Sequence, residues 1–576
     1  RGGGPDQTLV LLDKVTVYNP THAFGFFSSF NADALDEVNL YKGAYPAEHG
    51  GRLGAVLDVR SREGNTTALA GQGGVSTIAS RLQMDGPLGG GTWMASARRT
   101  HLDPFLDAVR TEENEIPAYY FYDLNARVTV PAAGGKMSLS GYKGRDDLRF
   151  DLESDTYIDL NWGNALLTAS YRRTFNESVV AEMRVAGTEY ESETDLRIFS
   201  TPIGITNRIR EVTGAGEVTW GAGRGWQLTG GAVASRYQLE YFQEFNGERQ
   251  VDYYRTPWEG AAFGEAQWTP RRGTVLLGGV RARYLDDGER GRVEPRWSAS
   301  QRLGERWRLK LGGGVYYQYL QLVSTEGFSA ADFYVPIDET APPGRSVQTV
   351  LGVEWTPSAQ WQLSVEGYYT ELADVVQFNT DVSGDSENTD AADLFYTGGE
   401  GYASGVEFFV QKRRGDFTGW VGYTLGWTRR KFPDLNQGES FPPKYDRRHD
   451  LSVVGQYRRG KWTFGGNFVL ASGQAFTPAA AVYGLRNPAT GTLGDPILLP
   501  APRNSARLLP YHRLDLSVNR GVTWFGQSFE WFIQVFNVYS RRNEWFVQYN
   551  LDDAVAEPDV VRMLPIVPSL GINVEF

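Results

Sequence analysis

Polar and apolar residues alternate one for one along much of this chain. From Tyr120 to Val130, Tyr120, Tyr122, Leu124, Ala126, Val128 and Val130 share one face, and Asp123, Asn125, Arg127 and Thr129 share the other. A period of two predicts a β-strand, and this run has about the length of a tilted strand that crosses a bilayer. A Pro-Ala-Ala-Gly-Gly turn follows, and a returning strand starts near Met137. The pattern recurs at Trp361, Leu363, Val365 and Tyr369 against Gln362, Ser364 and Glu366. It recurs again at Leu514, Leu516 and Val518 against Arg513, Asp515, Ser517 and Asn519.

Connections between these strands alternate in length. Tight turns are expected at 356–360, 413–416 and 458–461, and long polar connections near 190–210, 376–400, 430–447 and 472–510. Short turns at one end and long loops at the other are the plan of a transmembrane barrel, with the short side facing the periplasm. A soluble sandwich also carries many strands, but it rarely needs strands this long with tyrosine and tryptophan so frequent near their ends.

Composition supports the same picture. The 67 glycines, 30 tyrosines, 30 phenylalanines and 16 tryptophans suit a barrel with aromatic girdles. The longest early apolar run, Leu9–Leu12, is far short of the roughly 18–20 residues of a spanning helix. Cysteine is absent, which removes disulfides, thiolate zinc sites and cysteine nucleophiles. The net charge of −12 argues against nucleic acid as a partner. At the C-terminus Leu570, Ile572, Val574 and Phe576 alternate with Gly571, Asn573 and Glu575. A last amphipathic strand closed by a terminal aromatic resembles the signal read by the outer-membrane barrel assembly machinery.

Residues 1–64 follow a different pattern. Leu9–Leu12 is continuously apolar and is followed by Asp13-Lys14, as expected of a buried strand and a turn. An aromatic run, Phe24-Gly-Phe-Phe27, and a second strand, Val38–Gly43, come next. Gly50-Gly51-Arg52-Leu53-Gly54 then leads into Ala55–Arg60. A compact α+β fragment too small to stand alone is expected here.

Two of these stretches resemble the plug of TonB-dependent outer-membrane receptors. They are Arg1-Gly-Gly-Gly-Pro-Asp-Gln with Leu-Val-Leu-Leu-Asp-Lys-Val-Thr-Val-Tyr-Asn-Pro, and Asp36 through Arg60. The Tyr-Asn-Pro-Thr-His and Phe-Gly-Phe-Phe-Ser segments look closest to Bacteroidota-type receptors. One departure is Lys14, where glycine is common. The stretches Trp162-Gly-Asn, Glu294-Pro-Arg, Tyr445–Asp450, Tyr511–Asp515 and Phe536-Asn-Val extend the resemblance across the chain.

The family implies a barrel of about 22 antiparallel strands over residues 65–576, with residues 1–64 as the C-terminal part of a plug in its lumen. That allots about 23 residues to each strand and its connection, which is a workable length. It also implies a TonB-type energy transducer acting on a segment upstream of Arg1, outer-membrane lipids as surroundings, and no cofactor or enzymatic activity. The plug motif residues are Lys42, Gly43, Gly50, Gly51 and Arg52. Substrate-facing plug loops are expected at Tyr18, Asn19, His22, Phe24 and Phe26, an aromatic and polar mixture able to stack on and hydrogen-bond a ligand. The bland alternative is that the phenylalanines form the plug core.

Other chemistry is not indicated. The five histidines, His22, His49, His101, His449 and His512, show no local metal-pair spacing. Asp381, Asp385, Glu387, Asp390 and Asp393 do not fit an EF-hand register, so a solvated acidic loop is expected at 379–395. Arg127, Arg281 and Arg513 fall on the lumen side, where bidentate pairing suits bracing of plug against wall more than capture of an anionic substrate. The leading functional expectation is active import of a scarce nutrient: siderophore, cobalamin, glycan or peptide. The alternative is a plugged barrel anchoring a surface lipoprotein complex.

Overall fold

The computed structural model describes residues 1–22, 25, 27–101, 118–152, 156–198, 201–287, 290–323, 333–379, 395–486, 493–524, 526–549 and 558–576. The acidic loop expected at 379–395 falls almost wholly outside them.

Alternation turns the chain inside out, and that decides the fold. Leu124, Leu139, Leu167, Val185 and Val212 are 47–62% exposed on the outer face. Their strand neighbours Asp123, Asn125, Thr168 and Glu211 are buried on the inner face. Such a surface is stable only in lipid, where no water satisfies the backbone and a sheet must leave no edge. The strands accordingly form one closed antiparallel ring, from Ala70–Ser76 through to Val567–Glu575. Glu248–Arg255 and Trp258–Trp268 both pair with Trp226–Phe245 as two pieces of one interrupted strand, so the ring has 22 members.

The tight turns lie where the pattern put them. Strands break at Ala133-Gly134, Gln360, 413–416 and Gly460-Lys461. One long connection is different. Val179–Ile198 and Thr201–Gly223 run as paired strands through most of the expected loop at 190–210. Glu189 and Glu191 face outward there and pair with Arg210 and Arg208, so polarity rises while the ladder continues. These strands, 20 and 23 residues long, outrun the roughly 10 residues that cross a bilayer. The 472–510 connection folds its own hairpin, Ala479–Arg486 with Leu493–Pro500.

Inside the ring sits a four-stranded sheet: β1 (Thr8–Leu12), β2 (Val15–Thr16), then β5 (Leu35–Tyr41) and β6 (Ala55–Ser61), in the order β2-β1-β6-β5. Between them the pair β3 (Thr21–His22) and β4 (Phe27–Ser28) forms a small hairpin. Its helical turns among the described residues are all of the 3-10 type, Pro5–Gln7 and Ala32–Ala34 among them. The fragment expected as α+β is therefore built from strands, which its β-branched, glycine and aromatic content favours. Leu9–Leu12 is buried throughout, as a continuously apolar run requires. Partners on Arg81, Arg127, Asn164, Glu217, Arg296, Gln348 and Glu407 surround the sheet, which places it in the lumen.

The last strand closes the ring against the first, with Gly571 opposite Ser76 and Glu575 opposite Gln72. Gly71 and Phe576 exchange backbone hydrogen bonds of 2.9 and 3.0 Å. A side chain at Gly71 would start 2.5 Å from the Phe576 ring, so glycine is required for this aromatic to lie flat on the seam. Gly71→Val is expected to overpack the seam by about 1–3 kcal/mol and to lower the yield of heat-modifiable folded barrel on gels. An unchanged yield and melting temperature would contradict the seam assignment.

Candidate functional site

The inner sheet meets the wall through a small number of polar grips. Asp13 and Lys14 form the β1–β2 turn with φ of 52° and 66°. A two-residue hairpin with both central residues left-handed is a type I′ turn, which glycine usually fills. Lysine there costs about 1–2 kcal/mol of backbone strain. Its ammonium lies 3.4 Å from Glu217 and 3.5 Å from Glu182 on the wall, which offsets part of that cost. On the other side of the turn, Asp13 accepts hydrogen bonds from Ser61 and from Arg127, at 3.2 Å for the latter.

The segment after β5 carries the second grip. Gly51 has φ of +97°, and a Cβ on Gly50 would meet Arg281 Nε at 2.5 Å, so the two glycines let the backbone pass against arginines. Arg281 donates to the Ala47 and Glu48 carbonyls, and Arg296 to those of Pro46 and His49. Arg296 also lies between the rings of Tyr45 and Tyr316, 4.8 and 4.6 Å from their centroids. Behind them Glu294, fully buried, pairs with Arg296 and stands 3.7 Å from Arg283, which binds Glu259 at 2.7 Å. The carboxylates beside Arg283 and Arg296 offset the cost of burying those two cations.

The third grip lies nearer the short turns. Arg1 pairs with Glu366 and, at 2.8 Å, with Glu407; Lys42 reaches Glu407 at 2.6 Å and Glu366 at 3.3 Å. Two cations of the inner segment thus share two carboxylates of the wall. Gly43 follows with its backbone against Gln348.

The fourth grip, toward the long loops, gathers the expected substrate-facing residues. Tyr18 is buried; its amide donates to Asn164 Oδ1 at 3.1 Å and its hydroxyl to Glu211 at 2.7 Å. Burial, with Glu211 alongside, keeps that hydroxyl protonated far above the usual tyrosine range. The Asn19 side chain accepts from Thr21, and its carbonyl accepts from Asn164. His22 stacks on Phe121 with ring centroids 4.1 Å apart and hydrogen-bonds Asp146 at 2.5 Å. Asp123 lies 3.8 Å from its other nitrogen and accepts from Arg98 at 2.6 Å. Tyr18, Asn19 and His22 therefore come together on one part of the wall, beside Phe27. Phe24 and Phe26 lie outside the described residues. His22 and His49 face different wall strands, and no group of three metal-ligating side chains occurs among the described residues.

Arg127 and Arg281 brace the inner segment, as their lumen-side placement suggested, whereas Arg513 pairs within the wall with Asp515 at 3.0 Å. The wall partners Glu211, Asp146, Glu366 and Glu407 were not singled out from sequence. Their only sequence signal is a carboxylate on the inward face of an alternating strand.

The sequence matches the family described as TonB dependent receptor-like, beta-barrel, over residues 90–538. The chain belongs to this family. TonB-dependent receptors are outer-membrane receptors and transporters that work with TonB, and this chain is an outer-membrane barrel of that kind. Its fold resembles a double mutant of the ferric enterobactin receptor of Pseudomonas aeruginosa, with TM-score 0.71 and 14% identity over 100% of this chain and 91% of that one. It also resembles the ferric yersiniabactin uptake receptor of Yersinia pestis (0.70, 16%, 99% and 88%) and a copper transporter (0.70, 12%, 100% and 91%). No curated relative matches it.

Two outcomes test the grips. Removing Glu294 as Glu294→Ala leaves Arg283 and Arg296 with one carboxylate fewer in a buried place, a loss of about 3–5 kcal/mol. Amide exchange across residues 44–52 should rise accordingly, with the barrel strands unchanged. His49, buried beside Arg281 and Arg296, has its pKa pushed down to about 4. Because the unfolded imidazole binds its proton near 6.5, docking of this segment should be strongest above pH 6.5 and weaken as pH falls toward 4. His49→Gln should flatten that pH dependence of exchange.

Proposed function

We propose that this receptor imports a scarce nutrient across the outer membrane, with residues 1–64 serving as the C-terminal part of a plug and residues 65–576 as the barrel. The observation that carries the proposal is the inner sheet itself, which lies across the lumen and is gripped by wall side chains on every side. A sheet so placed blocks passive flow, and its release needs work. TonB, pulling on a segment upstream of Arg1, would supply that work from the inner-membrane proton gradient. The grips are ion pairs and hydrogen bonds at separate points rather than one continuous apolar core, so they can part in sequence under a directed pull. The terminal strand ending in Phe576 serves as the signal for barrel assembly.

Tyr18, Asn19 and His22 stand at the long-loop end of the inner sheet, where a substrate arriving from outside meets it first. Siderophore, cobalamin, glycan and peptide are the candidate substrate classes. The resembling receptors for ferric enterobactin and ferric yersiniabactin make iron chelates the first panel to test.

Uptake of labelled ferric siderophores, cobalamin, oligosaccharides and peptides into cells carrying this receptor is expected to include at least one positive. That uptake should fall to background when the proton gradient is collapsed or the upstream segment is deleted. Uptake that persists through both treatments would sink the proposal.

A further inference from the structure

Four neighbouring wall strands, Thr201–Gly223, Trp226–Phe245, Trp258–Trp268 and Thr274–Leu285, share a hollow on their outward face near the short turns. Parity puts Val218, Trp220 and Val280 on that face, and all three are exposed. Between them the outward positions are small. Gly230 stands opposite Val218 and Gly264, and Gly278 stands opposite Ala266. The result is an apolar groove of about 690 Å³, with Gly230, Gly264, Ala266 and Gly278 as its floor and Trp220 and Val280 at its sides. Glycine weakens a strand interior and often marks a place where a ligand comes close. A Cβ on Gly264 or Gly278 would meet no atom within 4 Å, and neither residue has a positive φ. The chain's own packing therefore requires glycine at neither position.

The foot of the groove is the second observation. Trp226 and Trp268 stack there, with ring centroids 5.2 Å apart and planes 9° from parallel. Indoles at strand ends mark the level where hydrocarbon gives way to headgroups. Gly264 and Gly278 each stand four residues inside a strand end, about 13 Å along the strand. The groove therefore lies in the periplasmic half of a hydrocarbon core about 30 Å thick. Just beyond the indoles, Arg271 turns to the outward face. Its Nε donates to Thr274 Oγ1 at 3.1 Å and its Nη2 to Gln301 Oε1 at 3.3 Å, both neutral groups. Thr274 is opposite Gln301 and shares the parity of Leu276 and Gly278. Arg224, Arg272 and Arg306 are exposed on the same short turn and its two neighbours, beside the single carboxylate of Glu305. In a chain of net charge −12, this is a local excess of cations at a lipid boundary.

We propose that the groove seats an anionic phospholipid of the periplasmic leaflet, with one acyl chain along the glycine floor and its phosphate on Arg271. Lipid tails are as apolar as a leucine side chain, so this chain is held by close packing into the groove and not by escape from water. The headgroup supplies the selectivity. Four arginines attract a net negative headgroup, and Glu305 alone is there to meet the ammonium of a zwitterion. A lipid so placed backs the wall where Glu265 and Arg281, on the inner face of the same strands, hold Ala47. The inference needs only that the short turns face the periplasm, so it stands or falls apart from the import proposal.

The test uses the full chain in detergent micelles, stripped of lipid, and three probes. They are phosphatidylglycerol, phosphatidylcholine with the same acyl chains, and glycerophosphoglycerol, which is the headgroup alone. Bound lipids are counted, and their affinities measured, by native mass spectrometry. One phosphatidylglycerol should bind at least about tenfold tighter than phosphatidylcholine, and glycerophosphoglycerol should not compete for its place. R271Q should weaken phosphatidylglycerol by about fivefold and leave phosphatidylcholine unchanged. G264L, which fills the floor, should weaken phosphatidylglycerol at least about tenfold. R414Q, on another short turn, should change nothing. Leucine suits the outward face and R271Q alters an exposed turn, so a folding fault in either variant leaves the other to judge the inference.

Equal affinity for the two lipids, several equivalent lipids with none set apart, or indifference to R271Q would each overturn it. An equal loss in R414Q would assign the effect to the basic rim as a whole and overturn the seat. Dimers of the chain that persist without lipid and vanish in G264L would give the groove to a second copy, and overturn it too.

Discussion

Closure of the sheet is the constraint on which everything else depends. In hydrocarbon an unpaired amide or carbonyl has no water to turn to, so a strand that enters the membrane must be paired on both sides. Twenty-two strands meet that demand by returning to their start, with Val567–Glu575 laid against Ala70–Ser76. Once the ring is closed, alternation has a single consequence. Apolar side chains go to lipid, and polar and charged ones converge on the lumen.

That convergence creates the second problem, and the inner sheet is its solution. Glu294, Glu366, Glu407, Asp123, Asp146 and Glu211 all point inward from the wall. A carboxylate in so enclosed a place is tolerable only beside a cation or a donor. Arg1, Lys14, Lys42, His22 and the Tyr18 hydroxyl come from residues 1–42 and meet several of them. Arg127, Arg281 and Arg296 work in the opposite direction, from wall to sheet. The contact is charged on both sides and apolar only in patches. It holds the sheet firmly but is divided into separate points, which suits the stepwise release proposed for it.

The departures between pattern and structure have physical causes. Polar residues near 190–210 suggested a loop, but Glu189 and Glu191 pair laterally with Arg210 and Arg208, and the ladder continues beyond the bilayer. Polarity on the outward face marks where lipid ends, which is a different boundary from where a strand ends. The helix expected in the first 64 residues is replaced by 3-10 turns, because those residues need to complete a sheet inside a wall and have no free apolar face to offer a helix. Lys14 fits a turn that favours glycine because Glu182 and Glu217 wait for it across the lumen, a fact of the wall that the turn sequence cannot contain.

What the sequence determined by itself was everything that depends on local period and composition. The inside-out alternation, the tight turns, the closing strand with Phe576 and the continuously buried Leu9–Leu12 all follow from neighbours along the chain. The lumen-side placement of Arg127 and Arg281 was legible for the same reason, since the face of a strand is set by parity. Only tertiary structure could decide which partner each inward group finds. Arg1 meets Glu407 across 406 positions of chain, and Tyr334 meets Tyr18 across 316. Such pairings are set by the stagger of a closed ring around an enclosed sheet, and no local pattern records that geometry.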